Sequence, residues 1–376
     1  MTYARARLWV GVSGVGTIVT ASSAALAFGL PSYLPTNDVA ALSLVLGVYA
    51  AISFPFDLAG GYLLPCGHGR MCRTLPAFLW TWLRGAVVHA LCLGACGAIL
   101  LGAGRAAGFP GAFFAALALM VALLAVQLPL SQVIGGLHPA APDLAGVRRL
   151  LAQWRTPMPP NVTVVAGIDT GFVGGLAGLP GRERLVLPHF WIHHLPAESV
   201  AVQMTRRAAA LSSGSRFRGV LLGIGWNLTG FAVASFLPGS GVSDAKGLVT
   251  LALWFTLWSF LGLLTLPSLS RPGVFEVDRH AAASGAPAAV LVRSLTEFDQ
   301  LQDDEPKRAP AIEAIFHPIP SVASRRAHLE TNDSARGCWQ GARTALYLSW
   351  ACLGFLSRAV HCNAGRPELW VLFPGD

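Results

Sequence analysis

The sequence predicts an α-helical integral membrane protein, with about six transmembrane helices and a small α+β cytoplasmic domain that a transmembrane hairpin splits in two. Three observations lead there. Of 376 residues, 53% are hydrophobic and 12% are charged, with a mean hydropathy of +0.55; soluble domains carry about 25% charged residues. Apolar runs long enough to cross a hydrocarbon core of about 30 Å lie on both sides of a more polar stretch. From about Gly135 the composition turns to Arg, Asp, Pro and β-branched residues, which suits a folded unit outside the bilayer.

Four spans come first, at residues 8–30, 39–60, 78–102 and 109–134, and make residues 1–135 a four-helix membrane region. Arg5 and Arg7 precede the first span, and Arg70 and Arg73 lie between the second and third. The first loop holds Asp38 and no Lys or Arg, and the third holds only Arg105. The positive-inside rule therefore places the N-terminus in the cytoplasm. The first apolar run exceeds a signal-peptide core and reads as a retained helix. Gly11, Gly14 and Gly16 have no strand before them, so they read as packing positions rather than a phosphate loop. Cys66, His68 and Cys72 fall short of a tetrahedral metal set and read as a plain loop; the seven cysteines are not spaced as a disulfide framework.

Residues 136–216 form the first part of the domain. An amphipathic helix near 143–154 carries Arg148 and Arg149, a Pro-rich linker follows, and short strands are expected at 162–168 and 184–187 around a Gly-rich stretch at 171–181. A helix over 198–211 is entered through Pro196, has Glu198 in its first turn and stops at Ser212-Ser213-Gly214. Spans at 219–237 and 247–266 form the hairpin of residues 217–268. Residues 269–330 complete the domain, with helices at 274–285 and 288–301, a charged loop at 303–308 and a His317-Pro318 segment. In the final block, 331–376, the uncharged run 344–357 is too short to span, so a buried or interfacial helix is expected, with a strand at 368–373.

Several local motifs recur in a telling order. Gly171-Phe172-Val173-Gly174-Gly175-Leu176-Ala177-Gly178-Leu179-Pro180-Gly181, Glu198-Ser199-Val200-Ala201-Val202, Glu276-Val277-Asp278-Arg279 and Phe316-His317-Pro318 with Arg325 follow one another around the hairpin. In that order the chain resembles the HtpX and CAAX prenyl protease type of membrane zinc metallopeptidase, a gluzincin family, over about residues 147–329. The resemblance implies a metallopeptidase-like domain. It makes Gly174, Gly175, Leu176, Ala177 and Gly178 a strand edge that binds substrate backbone. It makes the helix after Pro196 the zinc helix.

The same resemblance implies that the catalytic set is degenerate. The family binds zinc through the two His of H-E-x-x-H, with the Glu as general base. Thr205 and Ala209 stand at the His positions, Arg206 at the Glu, and Val274 at the third ligand. A guanidinium cannot accept a proton. Zinc also links the helices that hold it, so Arg206 or Arg207 paired with Glu276 or Asp278 is a candidate substitute tie. His189 and His193, one turn apart, are the candidate relocated metal ligands.

Two readings follow. One is a non-catalytic pseudopeptidase without cofactor, serving as a binding or scaffolding module for an extended peptide or a membrane protein client. The other is an active zinc metalloendopeptidase acting on membrane proteins through a relocated site. The lipid bilayer is the first partner; the formal charge of +8 fits Arg-rich loops beside anionic lipid, and no basic stripe interleaved with aromatics points to nucleic acid. The Ala-, Gly- and Arg-rich composition points to a bacterial inner membrane.

Overall fold

Side-chain caps mark where the first helices begin. Thr2 Oγ1 accepts from Arg5 N and opens α1 (Tyr3–Ala27), and Asn37 Oδ1 accepts from Ala40 N and opens α2 (Asp38–Leu58). The computed structural model describes residues 1–70, 73–141, 143–159, 161–167, 169–302, 305–331 and 336–372. Helix α2 widens into a π turn over Ala59–Leu63 and ends in α3 (Leu64–Gly67). Cys66, expected in a plain loop, is disulfide-bonded.

Helix α4 (Leu75–Ala125) carries non-helical backbone at Ala107 (φ −142°) and Gly108 (φ +61°, ψ −152°). Only glycine adopts the second conformation without strain. The expected third and fourth spans are thus two arms of one broken helix. The second arm stops at Ala125 rather than near Ile134, and α5 (Gln127–Gly135) is separate. The reason is polar. Gln127 is buried and turned to the domain, its Nε2 donating to Val371 O and its Oε1 accepting from Gly178 N.

The domain begins with β1 (His138–Pro139), α6 (Ala145–Gln153), β2 (Val162–Ala166), β3 (Gly175–Ala177) and β4 (Arg184–Pro188). The sheet order is β1-β2-β4-β3, with β2 and β4 parallel and the outer pairs antiparallel. Ile168, the last residue of the expected strand, lies outside the described residues. A short helix α7 (His189–His194) leads to α8 (Ala197–Ser212), the helix after Pro196.

Gly214, in the left-handed region, turns the chain into α9 (Ser215–Ser235); Asp244 then caps α10 (Ala245–Ala283). Helix α10 corrects an expectation, because the span and the following domain helix are one element of 39 residues containing Pro267 and Pro272. Between the two prolines Ser270 Oγ donates to Leu266 O and accepts from Ala342 N, tying that turn to the C-terminal block. The domain closes with α11 (Ala288–Gln302), α12 (Pro310–Phe316) and α13 (Val322–Leu329).

Among the described residues, five helices are long and apolar enough to cross a membrane: α1, the α2–α3 run, α4, α9 and α10. Their loops meet at one end, where Arg105 pairs with Asp38 and donates to Ser243 O at 2.8 Å, and Lys246 Nζ donates to Ser32 O at 2.8 Å. The domain docks at the other end, where α1 begins, through Arg70 to the carbonyls of Gln300 and Leu301.

Of the buried or interfacial helix expected in the C-terminal block, the structure has a buried one, and the described residues of 368–373 form no strand. The block forms α14 (Gly341–Leu348), a 3-10 turn over Ser349–Cys352 and a further 3-10 turn at Pro367–Leu369, and nearly all of residues 339–372 are buried. Phe373, which the expected strand included, is outside the described residues. Leu353, at φ +59°, ends the helical run early. The block threads between the membrane helices, close enough at Gly61 that a Cβ there would stand 2.0 Å from Gly365 O. Its charge is matched inside: Arg358 pairs with Asp57 of α2, which also accepts from Trp82 Nε1 at 2.8 Å and Gly365 N at 2.7 Å.

Candidate functional site

The site is built on α8 and α10, which pack side by side over the sheet. Residues one turn apart on a helix share a face, so Thr205 and Ala209 of α8 point together toward the interior. Both are buried, as is Val274 of α10. Thr205 Oγ1 is turned back on its own helix, donating to Ala201 O at 2.9 Å. Ala209 and Val274 belong to an apolar core with Met204, Val277 and Trp339. This is packed hydrocarbon, with no donor atom directed at a shared point.

Arg206 and Arg207 diverge. Arg206 Nε donates to Asp278 Oδ1 at 2.7 Å, and its Nη1 donates to Gln203 Oε1 at 2.9 Å. Asp278 also receives a fork from Arg325 of α13, with Nε to Oδ2 and Nη2 to Oδ1 both at 2.7 Å. All three side chains are at most 5% exposed, so one carboxylate joins α8, α10 and α13 inside the domain. Replacing such a set by hydrocarbon often costs little, but breaking it by removing one partner costs about 3–5 kcal/mol.

Arg207 reaches neither acid. Its Nη1 donates to Val186 O at 3.2 Å and its Nη2 to Val173 O, while its guanidinium lies 5.0 Å over the Trp191 ring. It fastens α8 to the sheet. Glu276 pairs instead with Arg218 of α9, at 2.7 and 2.9 Å, and accepts from Gly337 N at 2.8 Å. The structure therefore brings Arg206 to Asp278, and separates Arg207 and Glu276 from that pair.

The proposed substrate edge is placed differently from expectation. Among the described residues β3 is the last strand of the sheet, with no strand partner on one side, yet Gly174, Gly175, Leu176 and Ala177 are buried. Gly178 is half-buried and its amide is taken by Gln127. Ala177 packs with Leu128 of α5 and with Leu369 and Leu372 of the C-terminal block. The membrane region and the chain's own tail cover the edge.

His189 and His193 stand on one exposed face of α7, Nε2 to Nε2 at 3.0 Å. Among the described residues no group of three or more His, Cys, Asp or Glu is placed to hold a metal ion. At the motif position the residues present do not fit zinc either: a hydroxyl bound to its own helix, two hydrocarbon side chains and a guanidinium offer no ligand set.

A second buried cluster lay beyond the motif reading. Asp169 receives both Nε and Nη2 of Arg366, at 2.6 and 2.5 Å, and the amide of Gly171 at 2.9 Å. Burial opposes ionisation of Asp169, but Arg366, that amide and Arg73 outweigh it and hold the carboxyl at about 2. Burial pushes the neighbouring Glu368 carboxyl up, against the pull of Arg73, its ion-pair partner. A separate buried pair did have a signal in the sequence: Asp57 is an acid inside an apolar span, and intramembrane acids ordinarily have a partner. Nothing local marked Arg358 as that partner.

No protein-family model and no curated protein sequence matches the chain. The fold does match a solved one. The crystal structure of S. mikatae Ste24p superposes with a TM-score of 0.64 at 14% identity, covering 77% of this chain and 75% of that chain. At that identity the likeness is one of fold alone.

Proposed function

We propose that this chain is a non-catalytic pseudopeptidase, a membrane-embedded scaffold that keeps the peptidase-like fold of the HtpX and Ste24p kind and holds an extended peptide or a membrane protein client. The observation that carries this reading is Arg206. The position that calls for a general base holds a cation, buried and bonded to Asp278, and the neighbouring ligand positions are hydrocarbon or self-bonded. A proton acceptor is needed to activate water, and a guanidinium is none.

The fold supports a holding role by its connections. Asp278 ties three helices together, and the C-terminal block occupies the space between the membrane helices. An extended client would pair with the partner-less side of β3 by strand addition, once α5 and the tail withdraw from it.

Metal analysis of the purified protein, paired with casein cleavage in the presence and absence of a chelator, tests the reading. The expected result is far less than one zinc per chain and no chelator-sensitive cleavage. Stoichiometric zinc with chelator-sensitive cleavage overturns it. The competing reading, an active zinc metalloendopeptidase with a relocated site, has one observation in its favour, the facing Nε2 atoms of His189 and His193. Under that reading, zinc and cleavage are both lost in His189→Ala.

A further inference from the structure

Beside the domain, a cavity of about 300 Å³ opens between α1, α9, α10 and the C-terminal block. That volume is at the lower end of the range for small-molecule sites. Its walls are largely hydrocarbon, with Val12 and Gly16 of α1 and Leu263 of α10 among them. A Cβ added at Gly16 would meet nothing within 4 Å, so that part of α1 faces open space. The rim is apolar too: Leu264 is 40% exposed, and Ile315 and Phe316 at the end of α12 are 40% and 37% exposed. On membrane-crossing helices, a rim of this kind admits molecules from the bilayer.

Asn227, near the middle of α9 and 1% exposed, lines this cavity. Its Nδ2 donates to Gly223 O at 2.8 Å and to Ala345 O at 2.9 Å. Two carbonyls can be met only by the amide nitrogen, so the orientation of the amide is determined. Oδ1 is left on the cavity side, and among the described residues no donor reaches it. A buried acceptor in that condition costs about 1–3 kcal/mol.

The other polar groups of the wall do not supply the donor. Ser259 Oγ donates to Phe255 O at 2.9 Å and Ser349 Oγ to Leu346 O at 2.7 Å, so both hydroxyl protons are engaged. Trp226 Nε1, without an acceptor among the described residues, is sealed against Gly262, where an added Cβ would stand 2.6 Å from it. Arg343 and His361, at the domain end, have contacts of their own. At the depth of Asn227 the cavity therefore offers acceptors, and a ligand that matches it brings a donor. That depth also disfavours an ionised group, which is costly near the bilayer centre.

We propose that this cavity binds a neutral hydroxylated lipid of the surrounding bilayer, with its hydrocarbon chain against α1 and α10 and its hydroxyl donating to Asn227 Oδ1. The apolar walls select the chain, and the fixed amide oxygen selects the hydroxyl. The inference rests on α1, α9 and α10 lying in a membrane and is independent of whether the domain is catalytic.

Equilibrium binding of radiolabelled tetradecanol to the full chain in phosphatidylcholine nanodiscs tests it, with protein-free nanodiscs as the blank. Saturable binding of one tetradecanol per chain is expected. Unlabelled tetradecanol should compete about tenfold better than its methyl ether, which has the same chain and no donor; that ratio is equivalent to about 1.4 kcal/mol. Equal competition by the ether shows chain packing alone and overturns the proposal. Stronger competition by tetradecanoate shows an anion site and also overturns it, as does the absence of saturable binding. Val12→Trp fills the cavity and abolishes binding. Asn227→Leu keeps binding and loses the preference for the alcohol over the ether; a preference that survives this change contradicts the assignment to Asn227. Leu91→Trp, at an exposed position of α4 away from the cavity, is the control for added bulk and leaves both unchanged. The unmodified protein decides the question even where a variant fails to fold.

Discussion

Arg206 and Asp278, 72 positions apart, are joined by a 2.7 Å hydrogen bond between two side chains that solvent barely reaches. The same carboxylate is forked by Arg325. One carboxylate thus links α8, α10 and α13 through charge-assisted bonds.

Asp278→Ala leaves two guanidinium groups buried without that carboxylate, and we expect a loss of about 3–5 kcal/mol. Arg206→Met keeps the Arg325 fork and costs less. Thermal unfolding in detergent ranks them, and a loss for Arg206→Met as large as for Asp278→Ala contradicts the shared-carboxylate account.

Zinc added to the unmodified protein is expected to leave its unfolding temperature unchanged. A ligand that binds only the folded state at a hundred times its dissociation constant adds about 2.7 kcal/mol. A zinc-dependent rise that His189→Ala abolishes would point to the histidine pair.

Arg358→Leu leaves Asp57 buried with Trp82 and the Gly365 amide but without its cation. The C-terminal block then loses its central anchor. Limited proteolysis reads this directly: cleavage within residues 349–366 is expected in the variant and not in the parent.

Gly174→Ala is expected to destabilise the domain. Its φ of +67° alone costs a side chain about 1–3 kcal/mol, and the new Cβ would stand 2.1 Å from Val186 O, the carbonyl that Arg207 also holds. Gly175→Ala, where the added atom meets nothing within 4 Å though φ is +157°, is milder. Chemical denaturation of the two variants gives the order.

Asp169 makes part of the stability acid-sensitive. Its folded value of about 2 lies below the unfolded value of about 3.9, so the folded state binds the proton more weakly. The contribution, about 2–3 kcal/mol, is complete above pH about 4 and lost as pH falls toward about 2. Glu368 works with the opposite sign: its carboxyl is raised, so protonating it favours the folded chain. Asp169→Asn should flatten the acid limb of an unfolding-versus-pH curve, and an unchanged limb rules out this assignment.

The membrane class was legible because it depends on composition and run length, which are local properties. The domain was legible in outline for a related reason: the β-branched run at Val162, the glycines before β3 and the Pro196 entry to α8 each act within a few residues of themselves. The absence of H-E-x-x-H was a fact of the sequence alone. It excludes the usual ligand set before any fold is known.

Pairing was another matter. That Arg206 meets Asp278 while Arg207 turns to the sheet depends on the rotation of α8 against α10, which no local pattern encodes. That α10 continues through Pro267 and Pro272 depends on Ser270 and Ala342 meeting across the fold. That the tail lies among the membrane helices depends on Asp57 finding Arg358 at a separation of 301 positions. Local chemistry determined which segments are apolar or helical, and which lack the H-E-x-x-H pattern. Which buried charge answers which was decided only when tertiary packing removed them from water, where an isolated charge is too costly to remain unmatched.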